Sequence, residues 1–277
     1  MIVRLGLGLL FSAAIGGLGY WRRALSSSGL VGAILVGTIT FGLGGWVWGL
    51  VLITFFVSSS WLSHYRQAAK EQLADKFAKG SRRDVGQVLA NGGLGALLAV
   101  VFAWRPDPLL FAAFVGVMGS TTADTWATEL GVLSRETPRL ITTGREVTAG
   151  TSGGVTWLGI WASLAGALLI GAVATALTQA ASLVRGSGWQ AAAVSYSLLA
   201  VIGGVTGSVV DSFLGATVQG IYFCDSCGKE TERRIHRCGS PTRLVRGWGW
   251  LNNDLVNLAA SAAGGLTAVC LAWLVWR

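Results

Sequence analysis

The sequence predicts an all-α, polytopic membrane protein: a helical bundle of about eight short, glycine-rich transmembrane helices. Two observations predict this fold class. Of the 277 residues, 52% are hydrophobic and only 12% are charged, whereas a soluble domain carries roughly 25% charged residues. The apolar residues also gather in runs close to the ~20 residues that cross a bilayer. The same composition excludes a disordered chain, a coiled coil and a disulfide-rich secreted protein.

The apolar runs define the individual spans. We place them at about 2–20, 29–44, 46–62, 85–104, 107–122, 154–178, 192–220 and 255–276. The stretch 29–62 is too long for one membrane helix at ~1.5 Å per residue. Gly42, Gly44 and Gly45 in its middle therefore predict a tight reversal that makes it a hairpin of two spans.

The seventh run has a different glycine pattern. Within 192–220, Gly203, Gly204 and Gly207 follow one another closely, which predicts a broken or kinked helix. A polar loop at 222–250 then leads to the last span. Residues 1–277 are therefore expected to form a single integral-membrane domain with one large loop.

The first run has an alternative interpretation as a cleaved signal peptide. Arg4 precedes the apolar stretch, and the small residues Ala13 and Ala14 lie within it. Arg22 and Arg23 follow the stretch directly, which favours a retained membrane anchor.

Lysine and arginine residues divide unevenly between the loops. One side of the membrane receives the basic clusters at 22–23, 66–83, 135–145 and 229–246, and the other side receives only Arg4, Arg105, Arg185 and Arg277. Because cytoplasmic loops collect Lys and Arg, we expect these clusters in the cytoplasm and both termini on the non-cytoplasmic side of the cell (plasma or inner) membrane. The net charge of +8 is then mainly a topology signal, and no nucleic-acid partner is expected.

Four acidic residues lie in or beside the spans, where a carboxylate is costly and predicts function. They are Asp124, Glu129, Asp211 and Asp254, all near the predicted cytoplasmic ends. Carboxylates at one depth without a nearby histidine suit Mg²⁺, which prefers oxygen ligands and often binds phosphate as well. We predict that Asp124 and Asp211 hold Mg²⁺, with Glu129 or Asp254 as a further ligand or base.

Amide side chains lie at a similar depth. Asn91 is in the inner third of the fourth span, and Asn253 and Asn257 share a face at the start of the eighth. They are candidate substrate-binding residues. The alternative is that they only join helices by hydrogen bonds within the membrane.

The loop after the fifth span combines basic residues with a glycine-rich turn. Arg139, Thr143 and Arg145 precede a GTSGG turn, which consists of Gly150, Thr151, Ser152, Gly153 and Gly154. The last two glycines are expected to open the next helix, whose N-terminal N–H groups and dipole favour phosphate. We predict that the turn binds a triphosphate that Arg139 and Arg145 neutralise, although glycine-rich caps before membrane helices are common.

The loop at 222–250 contains a C-x₂-C…H-x-C pattern formed by Cys224, Cys227, His236 and Cys238. Three thiolates and an imidazole are a tetrahedral zinc set. The segment between Cys227 and His236 is shorter than in the usual zinc finger. Structural zinc, free reduced thiols and a redox role therefore all stay open, while a disulfide is disfavoured in the cytoplasm.

Several motifs together resemble a known family. They are ADTWATELG at 123–131, PRLITTGREVTAGTSGGVTWLG at 138–159, DSFLGATVQ at 211–219 and NNDLVN at 252–257, with FFVSSS at 55–60 and QVLANGG at 87–93. This set resembles the integral-membrane family that contains transmembrane protein 19 and the phytyl-phosphate kinase of the vitamin E pathway. The GTSGG turn is also similar to the phosphate turn of dolichol kinases and phosphatidate cytidylyltransferases, but lacks the charged residues that follow it there.

The resemblance implies an activity and a set of site residues. The family's kinase phosphorylates an isoprenoid monophosphate to the diphosphate with a nucleoside triphosphate, CTP by preference. The active-site positions that it implies here are Asp124, Glu129, Arg139, Thr143, the turn 150–154, Asp211, Asn253 and Asn257.

The function that we predict is therefore Mg²⁺-dependent phosphoryl transfer from CTP to a prenyl monophosphate at the cytoplasmic leaflet. One alternative is a cytidylyltransferase that makes a CDP-activated lipid and releases pyrophosphate. Another is a transporter or flippase of a phosphorylated isoprenoid, which short glycine-rich spans also fit. A purely structural membrane protein would not readily explain four acids at one depth.

Overall fold

The computed structural model describes residues 1–67, 70, 80 and 82–276. Lys76 and Lys79, which belong to the basic cluster at 66–83, lie outside the described residues. The described part contains eight long helices: α1 Ile2–Trp21, α2 Ser27–Ile39, α3 Trp46–His64, α4 Val85–Trp104, α5 Pro108–Gly131, α6 Trp157–Val184, α7 Ser195–Thr217 and α8 Asn253–Val275. These helices confirm the predicted all-α membrane bundle.

Helix α5 is the centre of the bundle. Seven segments of the described chain, one for each of the other helices, are long and apolar enough to cross a membrane. Every residue of α5 from Phe111 to Ala123 is buried, and the helix packs against α6, α7 and α8. Because protein covers it, α5 tolerates the polar stretch from Ser120 to Thr122 that lowers its hydropathy.

The predicted hairpin between the second and third spans is confirmed. Helix α2 continues into a π-helical turn, Thr40–Gly44, and α3 starts at Trp46. Between them Gly45 has a φ of 91°, a left-handed backbone conformation that favours glycine. One residue therefore reverses the chain.

The predicted break in the seventh span is wrong, because α7 is continuous from Ser195 to Thr217. Its glycines serve close packing instead. A Cβ atom at Gly203 would lie 2.6 Å from the carbonyl oxygen of Gly264 in α8, and one at Gly204 would lie 3.0 Å from the backbone of Gly119 in α5. Small residues allow this approach of helix backbones, which strengthens van der Waals packing in a membrane.

The helix ends that carry the basic clusters meet at one end of the bundle, here called the site end. There the N–H of Ser26, before α2, donates to the carbonyl of Arg83, before α4, at 2.9 Å. At the opposite end the indole of Trp276, after α8, donates to Ser195 at 3.0 Å. Within the described residues, the basic clusters thus lie at one end, as the uneven charge predicted, and the cytoplasmic location of that end stays a prediction.

Two small antiparallel sheets extend the site end. Strand β1 Arg139–Leu140 pairs with β2 Gly154–Val155 and closes the loop between α5 and α6. Strands β3 Ile221–Cys224, β4 Lys229–Thr231 and β5 Arg243–Arg246 form a sheet of order β4–β3–β5 between α7 and α8. The predicted loop at 222–250 is thus a small sheet that lies directly on the helix ends.

Candidate active site

Asp124 and Asp211 come together, and helix packing explains why. Ser120 of α5 faces Gly207 of α7, where a Cβ atom would overlap the serine side chain. The contacts between α5 and α7 follow the same order along both helices, so the two helices run parallel. One helical turn further toward the site end, the side chains of Asp124 and Asp211 are hydrogen-bonded to each other. The close contact between Ser120 and Gly207 therefore places the two carboxylates side by side.

A third carboxylate reaches this pair from the small sheet. The charge of Glu232, which follows β4, acts on Asp211. The amide of Gln219 donates to Glu232 at 2.8 Å, and the hydroxyl of Ser152 donates to the other end of that amide at 3.0 Å. Gln219 is almost fully buried. This amide therefore links the carboxylate group to the glycine-rich turn.

The glycine-rich turn lies on α7 and does not open α6. Helix α6 starts at Trp157 and its N-cap is Thr156, whose hydroxyl accepts the N–H of Gly159 at 3.1 Å. The prediction that Gly153 and Gly154 open the helix is thus wrong, because the turn leads into strand β2 and a threonine provides the cap. Gly153 has a φ of 83° and touches Ala216 near the end of α7.

The rest of the turn is held by short-range contacts. Gly150 also has a positive φ, 78°. The hydroxyls of Thr151 and Thr148 lie 3.1 Å apart, and the N–H of Thr151 donates to the carbonyl of Thr148 at the same distance. Hydroxyl groups and backbone N–H groups of this kind are suitable phosphate ligands.

A polar cleft opens beside the turn, with a volume of about 770 Å³. Its lining includes Arg135, Thr148, Thr151 and Arg246. Arg246 donates from Nη2 to the carbonyl of Ser152 at 3.4 Å. Its buried Nε atom has no hydrogen-bond partner among the described residues, and such a donor is costly unless an acceptor binds.

The predicted basic residues of the preceding loop lie on an exposed hairpin. Arg139 forms an ion pair with Glu146 at 2.9 Å and donates to the carbonyl of Gly144. Arg145 and Thr143 are exposed, and the N–H of Arg145 donates to the Thr143 hydroxyl. Glu146 itself lines the cleft, so Arg139 contacts a lining residue.

Glu129 forms a second polar group at the site end. It accepts a hydrogen bond from Ser63 of α3 and forms an ion pair with Lys70, both at 2.5 Å. The two charged side chains are only 21% and 13% exposed. Asp124 and Glu129 are five residues apart and so point about 140° apart around the helix. Glu129 thus faces α3, while Asp124 faces α7.

The predicted amide residues lie at the start of α8 and inside α4. Asn253, Asp254 and Asn257 occupy the first turns of α8, and Asn252 caps the helix by accepting the N–H of Leu255 at 3.1 Å. The backbone carbonyl of Asn91 accepts a hydrogen bond from the hydroxyl of Thr121 at 3.4 Å. This bond joins α4 to the helix that carries Asp124.

Asn91 also lines an apolar groove between α1, α2, α3 and α4. The groove wall includes Phe11, Ile15, Val36, Phe41, Leu52, Ile53 and Phe56, and its polar lining residues include Arg83, Gln87 and Asn91. Arg83 is 9% exposed and donates to Ser60 at 3.3 Å. The wall of the groove is thus apolar, and its basic residue lies toward the site end.

The four residues of the C-x₂-C…H-x-C pattern lie close together, as the motif predicted. The ligand atoms of Cys224, Cys227, His236 and Cys238 all lie within 4.8 Å of one another. Hydrogen bonds from Ser240 lower the pKa of the Cys238 thiol to about 6. Contact with Cys238 raises the pKa of Cys227 to about 11.

Comparison with known proteins identifies the family. The family model described as "Integral membrane protein DUF92" matches residues 10–265, which include every site residue named above. The chain belongs to the DUF92 family of integral membrane proteins. This membership confirms the predicted family resemblance.

Three relatives span the length of the chain. Protein PGR of Arabidopsis thaliana is 32% identical over 278 residues, covering 93% of this chain and 92% of PGR. An uncharacterized membrane protein of Methanocaldococcus jannaschii is 29% identical over 253 residues, or 90% of this chain and 86% of the relative. "Protein VTE6, chloroplastic" of Arabidopsis thaliana is 25% identical over 252 residues, or 89% and 65%. No solved structure matches the chain significantly.

The structure adds site residues that sequence patterns missed. Gln219 lies just after the end of α7 at Thr217, and its spacing of eight residues from Asp211 in the sequence was a usable signal. Glu232 and Arg246 lie in a segment without helical periodicity, and nothing in their local sequence points to α7 or to the glycine-rich turn. Lys70 was counted only as a topology charge, although it binds Glu129.

Proposed function

We propose that this protein is a prenyl-phosphate kinase. It transfers the γ-phosphoryl group of a nucleoside triphosphate, CTP by preference, to a prenyl monophosphate and forms the diphosphate at the site end. The observation that carries the proposal is the contact between Asp124 and Asp211. This pair lies next to the glycine-rich turn, at the end of the bundle that carries the basic loops. Family membership with a relative named VTE6 supports it, because the motif resemblance implies that activity.

The carboxylate pair fits a hard divalent cation. Two carboxylates in contact require a proton or a cation between them, because like charges at this distance repel. Asp211 also has a buried Oδ2 atom without a hydrogen-bond partner among the described residues. Asp124 and Asp211 would hold Mg²⁺, with Glu232 close enough to act on the same charge. When bound, the ion would neutralise phosphate oxygens during transfer.

The cleft beside the glycine-rich turn is the proposed site of the triphosphate. Arg246 offers an unpaired Nε–H there, and Arg135 adds a second positive charge. The hydroxyls of Thr148 and Thr151 supply further donors. These groups neutralise and orient a triphosphate, and such positioning is the main protein contribution to phosphoryl transfer. Arg139 and Arg145 remain proposed contacts for its outer phosphate.

The groove between α1, α2, α3 and α4 is the proposed site of the prenyl tail. Burial of its hydrocarbon against the apolar wall fixes the lipid, and the phosphate then lies near Arg83 and Asn91. An oxygen of that phosphate bonds to the γ-phosphorus of CTP, while the bond to the bridging oxygen breaks and its electron pair leaves with CDP. The acceptor is already ionised, so its attack requires no general base.

Turnover by purified protein tests the proposal. The full chain in nanodiscs is incubated with Mg²⁺, CTP and a panel of prenyl monophosphates of different chain length. We expect prenyl diphosphate and CDP, with at least a hundredfold loss in Asp124→Asn. Asp107→Asn is the matched control, because Asp107 caps the opposite end of the same helix and asparagine caps equally well.

Other products would redirect the proposal. Release of pyrophosphate with a CDP-lipid would indicate cytidylyl transfer. Counterflow of a phosphorylated isoprenoid without any nucleotide consumption would indicate a transporter. Either result would overturn the kinase.

A further inference from the structure

The Cys/His cluster has the dimensions of an occupied metal site. The Sγ atoms of Cys224 and Cys238 are 3.7 Å apart, and Nδ1 of His236 is 3.2 Å from the Sγ of Cys238. In a tetrahedral zinc site with Zn–S bonds of ~2.3 Å, neighbouring sulfur atoms lie about 3.8 Å apart. Cys224, Cys227 and Cys238 are all free thiols. The spacing therefore matches metal ligation and not a disulfide, whose sulfur atoms are ~2.05 Å apart.

Two tight turns present the four ligands to one point. In the first, the N–H of Gly228 donates to the carbonyl of Cys224 at 2.8 Å, so the chain turns directly after β3. In the second, the N–H of Gly239 donates to the carbonyl of His236 at 2.9 Å. Gly228 and Gly239 both have positive φ values, 63° and 85°. The backbone geometry of each turn thus orients two of the four ligands toward the same point.

The small sheet around the cluster has little apolar core of its own. Every residue of β5 is exposed or only partly buried, and Lys229 and Glu230 of β4 are exposed. Buried apolar side chains occur mainly in β3, at Ile221, Tyr222 and Cys224. A unit of this size rarely stabilises itself by apolar burial, and a structural metal is one of the usual substitutes.

The same sheet positions two residues of the candidate active site. Glu232 follows β4 and acts on Asp211, and Arg246 ends β5 and contacts the carbonyl of Ser152. Glu232 lies between the two halves of the Cys/His cluster in sequence. The position of Glu232 and Arg246 therefore depends on whether the two turns stay together.

We propose that Cys224, Cys227, His236 and Cys238 bind one structural Zn²⁺, and that this ion positions Glu232 and Arg246 over the carboxylate pair and the glycine-rich turn. The zinc site stands on its own geometry, whereas the positioning role rests on the proposed kinase function. Zn²⁺ takes no part in the phosphoryl transfer itself.

Metal analysis of the purified full chain tests the site without any activity. We expect one zinc ion per chain by mass spectrometry of the metal content, and loss of that zinc in Cys227→Ser. Cys270→Ser is the matched control, because Cys270 lies within α8 and outside the cluster. Replacement by Co²⁺ should produce the visible d–d bands and thiolate charge-transfer bands of a tetrahedral Cys₃His site.

The positioning role has a separate readout. Cys227→Ser should lower kcat/KM at least tenfold while leaving the unfolding temperature of the helical bundle unchanged. Glu232→Gln should lower it similarly with the zinc retained. A reduced wild-type protein that binds neither zinc nor cobalt would overturn the site. Zinc-free protein with full activity would overturn the positioning role, and zinc-loaded protein without any kinase activity would refute the proposed function alone.

Discussion

The most informative perturbation is Asp124→Asn, measured as the stabilisation of the protein by Mg²⁺. Two ionised carboxylates about 4 Å apart repel by ~4 kcal/mol at an effective dielectric constant of about 20. Without a cation, the pair must therefore either share a proton or bear this repulsion, and a bound divalent ion removes that cost. The amide in Asp124→Asn hydrogen-bonds to Asp211 without that repulsion. The variant should be at least as stable as the wild type without Mg²⁺, and should no longer respond to it.

The size of the effect follows from mass action. A ligand at a hundred times its Kd stabilises the folded state by about 2.7 kcal/mol. At ~2–4 °C per kcal/mol, this raises the unfolding temperature by about 5–10 °C. Thermal unfolding in detergent, followed by tryptophan fluorescence at constant ionic strength, measures the shift. Wild type and Asp107→Asn should show it, and Asp124→Asn should not. An equal Mg²⁺ shift in Asp124→Asn would refute the assignment of the metal to this pair.

Three further predictions test the packing around the site. Gly203→Ala places a methyl group 2.6 Å from a backbone oxygen, about 0.8 Å inside van der Waals contact. Thermal unfolding should show that it destabilises the bundle by about 1–3 kcal/mol. Gly17→Ala, whose methyl group meets no atom within 4 Å, should not destabilise it. Lys70→Met leaves Glu129 uncompensated and should cost about 1–3 kcal/mol, most of it recovered when Glu129→Gln is added; additive losses would contradict the ion pair. Gly153→Ala strains a positive φ and should raise the KM for CTP ~tenfold, about 1.4 kcal/mol, with an unchanged KM for the lipid.

The sequence was sufficient for the spans and for the carboxylate pair. Apolar runs separated by charged loops have few alternative arrangements, so the helices and the hairpin at Gly45 follow from hydropathy and one flexible residue. Asp124 and Asp211 were predicted to meet because both lie near the same end of their spans. The structure adds the reason, which is the contact between Ser120 and Gly207 one turn earlier.

The glycines show where sequence reasoning failed. A run such as Gly203 to Gly207 is compatible with a broken helix or with close helix packing, and only the neighbouring helices decide between them. Here the backbones of α5 and α8 fill the space, so α7 stays continuous. In the same way, Gly153 packs on α7 instead of opening α6, because Thr156 already caps that helix.

Contacts from irregular segments were not predictable from local patterns. Glu232 and Arg246 reach the site because three short strands fold back onto the helix ends, and their pairing is long-range. Glu129 was assigned to the metal site by its depth and by the family resemblance. Depth does not specify the direction around a helix axis, and the residue instead faces Ser63 and Lys70.

The fate of the two ends of the triphosphate tests the central claim most directly. CTP labelled either in its γ-phosphate or in its α-phosphate is supplied to the purified protein with Mg²⁺ and a prenyl monophosphate, and the lipid product is extracted. The account predicts that the γ-label enters the lipid as its terminal phosphate and that the α-label stays in CDP. Entry of the α-label into the lipid, or no labelled lipid with any acceptor, would contradict it.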